Sequence, residues 1–288
     1  MAGGEQIGAI WRRTSALIDR LDARLLLQQV CGCTYAELIA HPERTLTAAQ
    51  CVEFDALMAR RVAGEPLAYL LGSAFFAGLE FAVSPDVLIP RPETEVLVGE
   101  AQRLARNLDA PRIVDLGTGA GIVAIVLARL CPSAQVTAVD LSSAALAIAR
   151  ANAARHGATI RFLHGDWYEP LGEERFDLIV SNPPYVADGD PHLRRDGLPF
   201  EPQIALTDGI AGGDGLACIR RIVAAAAEHL LPGGWLLIEH GYDQAVEVSI
   251  LLSRAGFSEI GSWRDSAAIA RVTGGVLTAA TGRATLVS

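Results

Sequence analysis

Apolar residues recur along this chain in two patterns, helical before about residue 72 and strand-like after about residue 113. In the first stretch they return every three or four positions, which is typical of helices that bury one face. The residues that this spacing places on one helix face are Leu21, Leu25, Leu26 and Gln29, and those on a second helix are Val52, Leu57, Met58 and Arg61. The pattern therefore predicts an all-helical region at the start of the chain.

Two helix starts in this region carry a capping signal. Thr34 is followed three residues later by Glu37, and Thr47 is followed by Gln50. In such S/T-x-x-E/Q boxes the two side chains pair with backbone N–H groups that the first helical turn leaves without partners. We therefore expect helices to begin directly after Thr34 and Thr47.

A short hairpin and a proline-stiffened link follow the helical region. Residues 75–83 alternate around Gly78, as the strands of a hairpin do. Residues 87–93 carry two prolines ahead of a helix that is expected to begin near Glu93. We predict three parts, which are an all-helical domain over residues 1–72, a hairpin linker over 73–92 and a larger domain over 93–288.

From residue 113 onward, short apolar runs alternate with helical patterns. The predicted strands are 113–114, 135–139, 160–163, 176–181 and 234–239, followed by a terminal pair at 258–264 and 271–278. The predicted helices between them are 122–130, 143–156, 215–230 and 242–254. This alternation predicts an α/β fold in which a seven-stranded sheet has helices on both faces.

A glycine-rich loop connects the first of these strands to its helix. The loop residues are Asp115, Leu116, Gly117, Thr118, Gly119, Ala120 and Gly121. Glycines let the backbone approach a ligand closely, and the N-terminus of the following helix favours negative charge. A dinucleotide loop of the type G-x-G-x-x-G needs glycine where this chain has Ile122, so the G-x-G-x-G spacing favours S-adenosylmethionine over NAD.

Acidic and aromatic residues follow the next two strands. Asp140 ends the second strand, where a carboxylate can accept both hydroxyls of a ribose; a helix cap ahead of Ser142 is the alternative. Asp166 and Trp167 follow the third strand, and Trp167 can either flank an adenine or belong to the core. Because the glycine-rich loop stands at the same edge of the predicted sheet, we favour the cofactor interpretation for Asp140 and Trp167.

The fourth strand ends in Asn182, Pro183, Pro184 and Tyr185. The two prolines fix φ and remove backbone donors, which leaves carbonyl oxygens as acceptors between an amide side chain and an aromatic ring. These groups fit a planar NH2, with the Asn182 side-chain oxygen and the Pro183 carbonyl each accepting one N–H and Tyr185 packing against the amide. By itself the tetrapeptide does not separate a glutamine amide from an adenine amino group.

Composition and charge narrow the range of partners. Hydrophobic residues make up 51% of the chain and charged residues 20%, which is typical of globular proteins. All 24 basic residues are Arg, and the net charge of -9 disfavours nucleic-acid binding driven by counterion release. The region 1–84 is itself slightly acidic, with 7 Arg and 9 acidic residues. No signal peptide or membrane-spanning stretch is predicted, so we expect a cytoplasmic protein.

Cysteines and histidines predict neither a disulfide framework nor a metal site. The five cysteines are Cys31, Cys33, Cys51, Cys131 and Cys218. They are odd in number and form no C-x-x-C pair, so we expect reduced thiols. The histidines show no metal-ligand spacing, and we expect His164, His192 and His240 to lie at the surface or to be paired in the core.

Nine segments spread over the chain form one further pattern. They are residues 64–69, 88–95, 115–121, 140, 166–167, 182–185, 200–202, 239–241 and 271–273. Together, and in register from about residue 64 to 275, they resemble the peptide chain release factor glutamine methyltransferases. Asn-Pro-Pro-Tyr is shared with DNA adenine methyltransferases and some RNA methyltransferases, whereas Ile-Pro-Arg-Pro-Glu-Thr-Glu at residues 89–95 is far more specific. The first 60 residues resemble the family in helical character only.

The resemblance implies a class I, Rossmann-like S-adenosyl-L-methionine-dependent methyltransferase fold with a small helical N-terminal domain that helps to dock the release factor. It implies methyl transfer to the side-chain nitrogen of the glutamine in a Gly-Gly-Gln loop. The residues implied to line the cofactor are Gly117, Thr118, Gly119, Ala120, Gly121, Asp140, Trp167 and Asn182, and those implied to hold the glutamine are Asn182, Pro183, Pro184 and Tyr185. We expect a monomer that binds class 1 release factors and neither nucleic acid nor membrane.

Two other function classes stay open at this point. A methyltransferase of DNA or RNA base amino groups should show an Arg-rich face or a target-recognition domain. A non-catalytic binding module should show a degraded glycine-rich loop or a lost Asn182, and both are intact. The chain departs from the family pattern at Ala268, near a position that is often Gly, and in the tail after about Thr278.

Overall fold

The computed structural model describes residues 5–278, which divide into two units. The first unit contains the described residues up to Ala74 together with His192–Phe200, and the second contains Phe75–Pro191 and the described residues from Glu201 onward. The tail beyond Thr278, which the sequence singled out, lies outside the described residues.

Five helices form the first unit. They are α1 (Ile7–Thr14), α2 (Arg20–Cys31), α3 (Tyr35–Ala40), α4 (Ala48–Val62) and α5 (Leu67–Leu71). Both predicted capping boxes are confirmed: Thr34 accepts from the backbone N–H of Glu37 at the start of α3, and Thr47 accepts from that of Gln50 at the start of α4. Ile10, Leu26 and Phe54 belong to the core on which these helices pack.

The buried faces of α2 and α4 match the predicted ones at Leu26 and Met58 and differ from them at other positions. In α2 the buried side chains are Ala23, Leu26, Leu27 and Val30, whereas Leu21 is exposed. In α4 Phe54 is buried, whereas Val52 is 72% exposed. The buried positions still follow the helical repeat, but α2 packs through the small Ala23, which a prediction based on the larger side chains overlooks.

The expectation of five reduced thiols is wrong for one pair. Cys31 and Cys33 form a disulfide, and Cys51, Cys131 and Cys218 are free. Between the bonded residues, Gly32 ends α2 in the left-handed conformation and turns the chain back. The two Cα atoms are therefore 5.4 Å apart, a separation that a disulfide can span.

The predicted hairpin is confirmed by β1 (Ser73–Phe76) and β2 (Leu79–Ala82). Ala77 and Gly78 both have positive φ at its turn, which matches the right-handed twist of the strands. After the hairpin, a short 3-10 helix at Pro92–Thr94 leads into α6 (Glu95–Ala105), so the helix near Glu93 begins as expected.

The seven-stranded α/β sheet of the second unit is confirmed. Its strands are β3 (Arg112–Leu116), β4 (Gln135–Asp140), β5 (Ile160–His164), β6 (Phe176–Ser181), β7 (Leu230–Glu239), β8 (Phe257–Arg264) and β9 (Ala270–Leu277). The helices are α7 (Ile122–Leu130), α8 (Ser143–His156), α9 (Gln203–Leu206), α10 (Ala217–His229) and α11 (Ala245–Arg254). The strand order is β5-β4-β3-β6-β7-β9-β8, and β9 runs antiparallel to both of its neighbours, whereas β5, β4, β3, β6 and β7 are parallel to one another.

Hydrophobic layers cover both faces of this sheet. On one face Ile113 of β3 packs with residues of α6 and α7, and on the other face Val114 packs with residues of α10 and α11. Successive residues of a strand point to opposite faces, so a strand buried on both sides is apolar throughout. No helix within residues 5–278 is long and apolar enough to cross a membrane.

The backbone conformation at Ala268 explains why a position near it is often Gly in the family. It lies in the turn between β8 and β9 with φ +62°, a conformation that glycine adopts without steric cost. The family preference for Gly near this position therefore fits the backbone, and Ala268 is accommodated in the same turn with its N–H bonded to the carbonyl of Asp265 at 2.9 Å.

Gly274 in β9 yields a stability prediction. A Cβ at this position would lie 2.5 Å from the carbonyl oxygen of Leu236 and 2.5 Å from Leu237 Cδ2, so Gly274→Ala is expected to lower the free energy of unfolding by about 1–3 kcal/mol. The control is Gly99→Ala on the exposed side of α6, where a Cβ would meet no other atom within 4 Å in residues 5–278; it is expected to raise stability by about 0.5–1 kcal/mol. Urea unfolding measures both. Equal effects of the two substitutions would contradict the close approach of β7 and β9.

Candidate active site

The site lies where the order of the parallel strands reverses. From β3 the chain moves outward through β4 to β5 and then returns to β6 on the other side of β3. Leu116 at the end of β3 pairs with Ser181 at the end of β6, and the Ser181 hydroxyl donates to the Leu116 carbonyl at 2.7 Å. A reversal of this kind opens a crevice outside the carboxyl ends of the strands, which is where open α/β sheets bind ligands.

The glycine-rich loop occupies one side of this crevice. Gly117, Gly119 and Gly121 have φ of +74°, +54° and +82°, a conformation that residues with a Cβ rarely adopt. Below the loop, the Thr118 hydroxyl donates to Asp115 Oδ2 at 2.6 Å. Burial raises the pKa of Asp115 to about 7, although the hydrogen bond from Thr118 opposes the shift. The loop is therefore shaped by glycine conformations and fastened to a buried carboxyl group.

Asp140 lies against this loop. Its Oδ2 accepts the backbone N–H of Gly119 at 2.8 Å, and its Oδ1 accepts the N–H of Ser142 at 2.8 Å. Ser142 itself caps α8 by accepting the N–H of Ala145. Burial raises the pKa of Asp140. The carboxylate thus connects the glycine-rich loop to the start of α8, and Ser142 rather than Asp140 is the helix cap.

Trp167 lies on the far side of the loop. Its φ is +49°, and a Cβ on Gly117 would lie 3.4 Å from Trp167 Cζ3, so the indole ring closes over the glycine. The neighbouring Asp166 forms an ion pair with Arg221 of α10, with an Nη2–Oδ2 distance of 2.6 Å. The Trp167 ring therefore lies within van der Waals range of the Gly117 position.

A cavity of about 510 Å³ fills the crevice, a size that suits a small organic ligand. The predicted site residues that line it are Gly117, Thr118, Gly119, Ala120, Asp140, Trp167, Asn182 and Pro184. The structure thus brings together residues from the ends of β3, β4, β5 and β6, as expected from strands whose carboxyl ends share one edge.

Three predicted site residues do not line the cavity: Gly121, Pro183 and Tyr185. Gly121 precedes α7, and a Cβ there would lie 3.1 Å from that of Ala149, so its part is to let α7 and α8 approach each other. Pro183 is buried. The Tyr185 hydroxyl points to Glu239 Oε1 at 3.4 Å. The Tyr185 ring packs against the hydrophobic layer that contains Val114 and residues of α10 and α11. Tyr185 therefore supports the tetrapeptide from behind and does not cover the cavity.

The Asn182 side chain is fixed by a residue that sequence reasoning missed. Its Nδ2 donates to the hydroxyl of the buried Thr94 at 3.2 Å, and both residues line the cavity. Because the amide group is planar, this bond turns Oδ1 to the opposite side and leaves it available as an acceptor. The signal in the sequence was the segment 89–95, which resembles the family and ends beside the start of α6.

Two further missed groups hold the walls of the cavity in place. Asn152 of α8 donates to the carbonyls of Ala82 at 3.0 Å and Ala120 at 2.9 Å, so one buried amide connects the hairpin to the glycine-rich loop. Glu201 forms an ion pair with Arg91 and accepts the N–H of Ile89 at 3.1 Å. The sequence offered no local signal for Asn152, whereas Glu201 belongs to the segment 200–202 of the family resemblance.

The segment between β6 and α10 also contributes to the cavity. Gln203, Ile204, Ala205, Thr207, Asp208 and Gly209 line it, and no role was predicted for them. Asp208 and Asp214 begin α10 by accepting the backbone N–H groups of Ala217 and Leu216. Short turns and helices of this kind lack an apolar repeat, so hydrophobic periodicity does not reveal them.

The residues that the structure describes contain no group of three or more His, Cys, Asp or Glu side chains arranged to hold a metal ion. His164 lies at the surface with Nε2 2.9 Å from the carbonyl of Leu141. His240 is buried, and its Nε2 is 2.8 Å from the Thr273 hydroxyl. Each of these two histidines therefore has a hydrogen-bond partner.

The sequence of this chain is similar to the sequences of known proteins. The chain is 51% identical to the release factor glutamine methyltransferase of Bordetella pertussis, over 90% of this chain and 96% of that protein. It belongs to the release factor glutamine methyltransferase family. A second member, from Burkholderia pseudomallei, is 49% identical over 90% of this chain and 93% of that protein. The family resemblance inferred from the nine segments is confirmed.

Matches to domain families agree with this assignment, and a solved structure shares the fold. Residues 94–194 match the family described as methyltransferase small domain, and residues 14–72 match the one described as PrmC N-terminal domain. The T. Thermophilus 16S rRNA N2 G1207 methyltransferase in complex with AdoMet and guanosine is similar in fold, with a TM-score of 0.51 and 22% identity. The similarity covers 71% of this chain and 49% of that chain.

Asp115 in this family member yields a prediction of pH-dependent stability. Its pKa is about 7 in the folded protein and near 3.8 in the unfolded chain, so the folded state binds more protons between these values and stability falls as pH rises. Asp115→Asn is expected to remove on the order of 3 kcal/mol of that fall between pH 5 and 8. Urea unfolding at several pH values measures it. Glu100→Gln, a buried carboxyl of α6, is the control, and equal pH slopes for wild type and Asp115→Asn would contradict the prediction.

Proposed function

We propose that this protein transfers a methyl group from S-adenosyl-L-methionine to the side-chain amide nitrogen of the glutamine in the Gly-Gly-Gln motif of class 1 peptide chain release factors. The observation that carries the proposal is the fixed Asn182 amide, which lines the cavity beside the glycine-rich loop and donates from Nδ2 to Thr94, so that Oδ1 is the acceptor left for a ligand. Membership of the release factor glutamine methyltransferase family supports the choice of substrate.

The cavity fits S-adenosyl-L-methionine in size and chemistry. Its volume of about 510 Å³ and its mainly apolar lining suit a nucleoside with an aliphatic chain. We propose that Asp140 accepts the ribose hydroxyls, that Trp167 contacts the adenine ring, and that Gly117, Thr118, Gly119, Ala120 and Asn182 form the rest of the wall. Gly121 acts through the start of α7. When bound, the cofactor supplies an electrophilic methyl group on a sulfonium.

Orientation of the acceptor amide is the chemical task of the tetrapeptide. An amide nitrogen is a poor nucleophile because its lone pair is delocalised into the carbonyl. Asn182 Oδ1 and the Pro183 carbonyl each accept one N–H of the glutamine amide, so the nitrogen presents the axis perpendicular to the amide plane to the methyl group. The same two acceptors stabilise the positive charge that develops on nitrogen during transfer. One N–H proton of the amide is then released to solvent, so that the products would be a neutral N-methyl amide and S-adenosyl-L-homocysteine.

The other two residues of the tetrapeptide complete this arrangement. Pro184 lines the cavity and contributes wall surface next to the acceptor amide. Tyr185 fixes the direction of the chain through its hydroxyl contact with Glu239 and its carbonyl, which accepts from Gln244 Nε2 at 3.0 Å. We therefore propose that all four residues serve the reaction, with Tyr185 acting from behind the wall.

Each part of the chain receives a proposed role. Residues 1–72 form a helical docking domain for the release factor, residues 73–92 a hairpin linker and residues 93–288 the catalytic domain. The net charge of -9 supports a protein substrate over a nucleic acid. We propose that the enzyme acts as a monomer in the cytoplasm.

Asn182→Ala is expected to abolish methyl transfer to a release factor and to leave the dissociation constant for S-adenosyl-L-methionine within about threefold of wild type. The reason is that the substitution removes one of two acceptors for the glutamine amide and only one contact among many in the cofactor wall. Radiolabelled methyl transfer and equilibrium dialysis measure the two quantities. Asn107→Ala at an exposed turn is the control. Near-normal turnover by Asn182→Ala would contradict the mechanism.

Mass spectrometry of the substrate tests the proposed function itself. A release factor incubated with the enzyme and S-adenosyl-L-methionine is expected to gain a single methyl group on its Gly-Gly-Gln glutamine. The alternative is a methyltransferase of base amino groups, since an exocyclic NH2 presents the same planar pair of donors. An unmodified release factor beside a methylated oligonucleotide in the same assay would establish that alternative.

A further inference from the structure

Glu239 is a buried carboxyl that forms no ion pair within residues 5–278. It is the last residue of β7, its exposed fraction is 1%, and Oε2 has no hydrogen-bond partner within residues 5–278. Arg271, on the paired strand β9, is bonded to Asp265 at 2.8 Å and lies 3.8 Å from Glu93. A carboxyl group is costly to bury without an ion pair, so its position next to the cavity wall calls for an explanation.

Two hydroxyl groups that face this carboxyl both lead to the tetrapeptide. The Tyr185 hydroxyl is 3.4 Å from Oε1. The Thr94 hydroxyl is the second. Burial raises the pKa of Glu239 to about 7, and hydrogen bonding from Thr94 and from Tyr185 opposes that rise. Thr94 in turn accepts from Asn182 Nδ2 at 3.2 Å. Glu239 is therefore connected to the first and the last residue of the tetrapeptide.

The Thr94 hydroxyl determines which groups donate and which accept in these hydrogen bonds, because it has only one proton. The Thr94 hydroxyl has one proton, and its oxygen already accepts from Asn182, so the proton is available to Glu239. The two ends of an Asn amide have nearly the same shape, so packing alone does not decide which end faces the cavity. An acceptor beyond Thr94 decides it, because Thr94 then must accept from Nδ2 and Oδ1 must face the other way.

We propose that Glu239 is a positioning residue that, by accepting from Thr94 and Tyr185, holds Asn182 with Oδ1 toward the methyl-accepting nitrogen. The inference rests on the proposed function, since it assumes that this nitrogen belongs to an NH2 group with two protons to donate. With Nδ2 in the place of Oδ1, two donors would face each other and the acceptor amide would not be held.

The ionised carboxylate is the form that fits this role. A protonated Glu239 can donate to Thr94, which frees the Thr94 proton to point at Asn182 and favours the flipped amide. The other titratable or charged groups that face Glu239 are Glu93 on the 3-10 helix, Tyr185 after β6 and Arg271 on β9. Glu93 raises the pKa of Glu239 and Arg271 lowers it. We therefore expect kcat to fall as pH decreases through about 7.

The test uses the full-length enzyme with a release factor and S-adenosyl-L-methionine. Glu239→Gln keeps the shape but places an NH2 group where it can donate to Thr94. It is expected to lower kcat at pH 8 at least tenfold, to remove the loss of kcat near pH 7, and to change the cofactor dissociation constant less than twofold. Glu100→Gln, a buried carboxyl of α6 outside the site, is the matched control with unchanged kcat.

A second pair of variants keeps the inference testable when Glu239→Gln does not fold. Thr94→Val removes the hydroxyl and is expected to lower kcat at least tenfold, whereas Thr94→Ser retains the hydroxyl and more than half of the activity. The double variant Glu239→Gln with Thr94→Val is expected to be no slower than either single variant, because both break one chain of bonds.

The outcomes separate this inference from the function on which it rests. Wild-type enzyme that leaves the release factor unmethylated overturns the proposed function and the inference with it. An active wild type with a fully active Glu239→Gln, or with an unchanged pH profile in that variant, overturns the inference alone. Equal activities of Thr94→Val and Thr94→Ser do the same. A parallel loss of cofactor affinity and kcat in Glu239→Gln would assign the residue a merely structural part and also contradict the inference.

Discussion

Parallel pairing of β3 with β6 is the constraint on which the site depends. These strands are far apart in sequence, but Leu116 and Ser181 are paired at their carboxyl ends and bonded through the Ser181 hydroxyl. Whatever follows the two strands must therefore begin side by side. Gly117 follows one and Asn182 follows the other, and both line the same cavity. The distance between the glycine-rich loop and the tetrapeptide is set by one step of strand separation rather than by loop conformation.

Buried polar side chains complete what the sheet begins. Asn152 connects β2 to the glycine-rich loop, Asp115 fastens that loop from below, and Glu201 connects to Ile89 and Arg91. A loop has few apolar contacts of its own, so hydrogen bonds from buried groups are what give it one conformation. Such groups also carry a cost, which is visible where burial raises the pKa of Asp115 to about 7. These buried groups thus lower the free energy of unfolding and at the same time give the loops of the site one conformation.

Local patterns predicted much of the fold, and contacts between distant residues account for the rest. Strand ends, the glycine-rich loop and both capping boxes depend on neighbours within a few residues, so Thr34 and Thr47 could be assigned from the sequence. The buried face of α2 depends on which helices it packs against, and the choice of Ala23 was therefore missed. Thr94 and Asn152 act on residues 88 and 70 positions away, and no spacing in the sequence indicates such a partner.

The four residues of the tetrapeptide have two different surroundings. Asn182 and Pro184 line the cavity, whereas Pro183 is buried and Tyr185 turns to Glu239. An extended chain points successive side chains to opposite sides, so neighbours in the motif necessarily serve different surroundings. The residues that face the cavity form its wall, and those that face inward are constrained by the core and by Glu239. In this motif, therefore, Asn182 and Pro184 are placed to meet a ligand, whereas Pro183 and Tyr185 are placed to fit the interior of the protein.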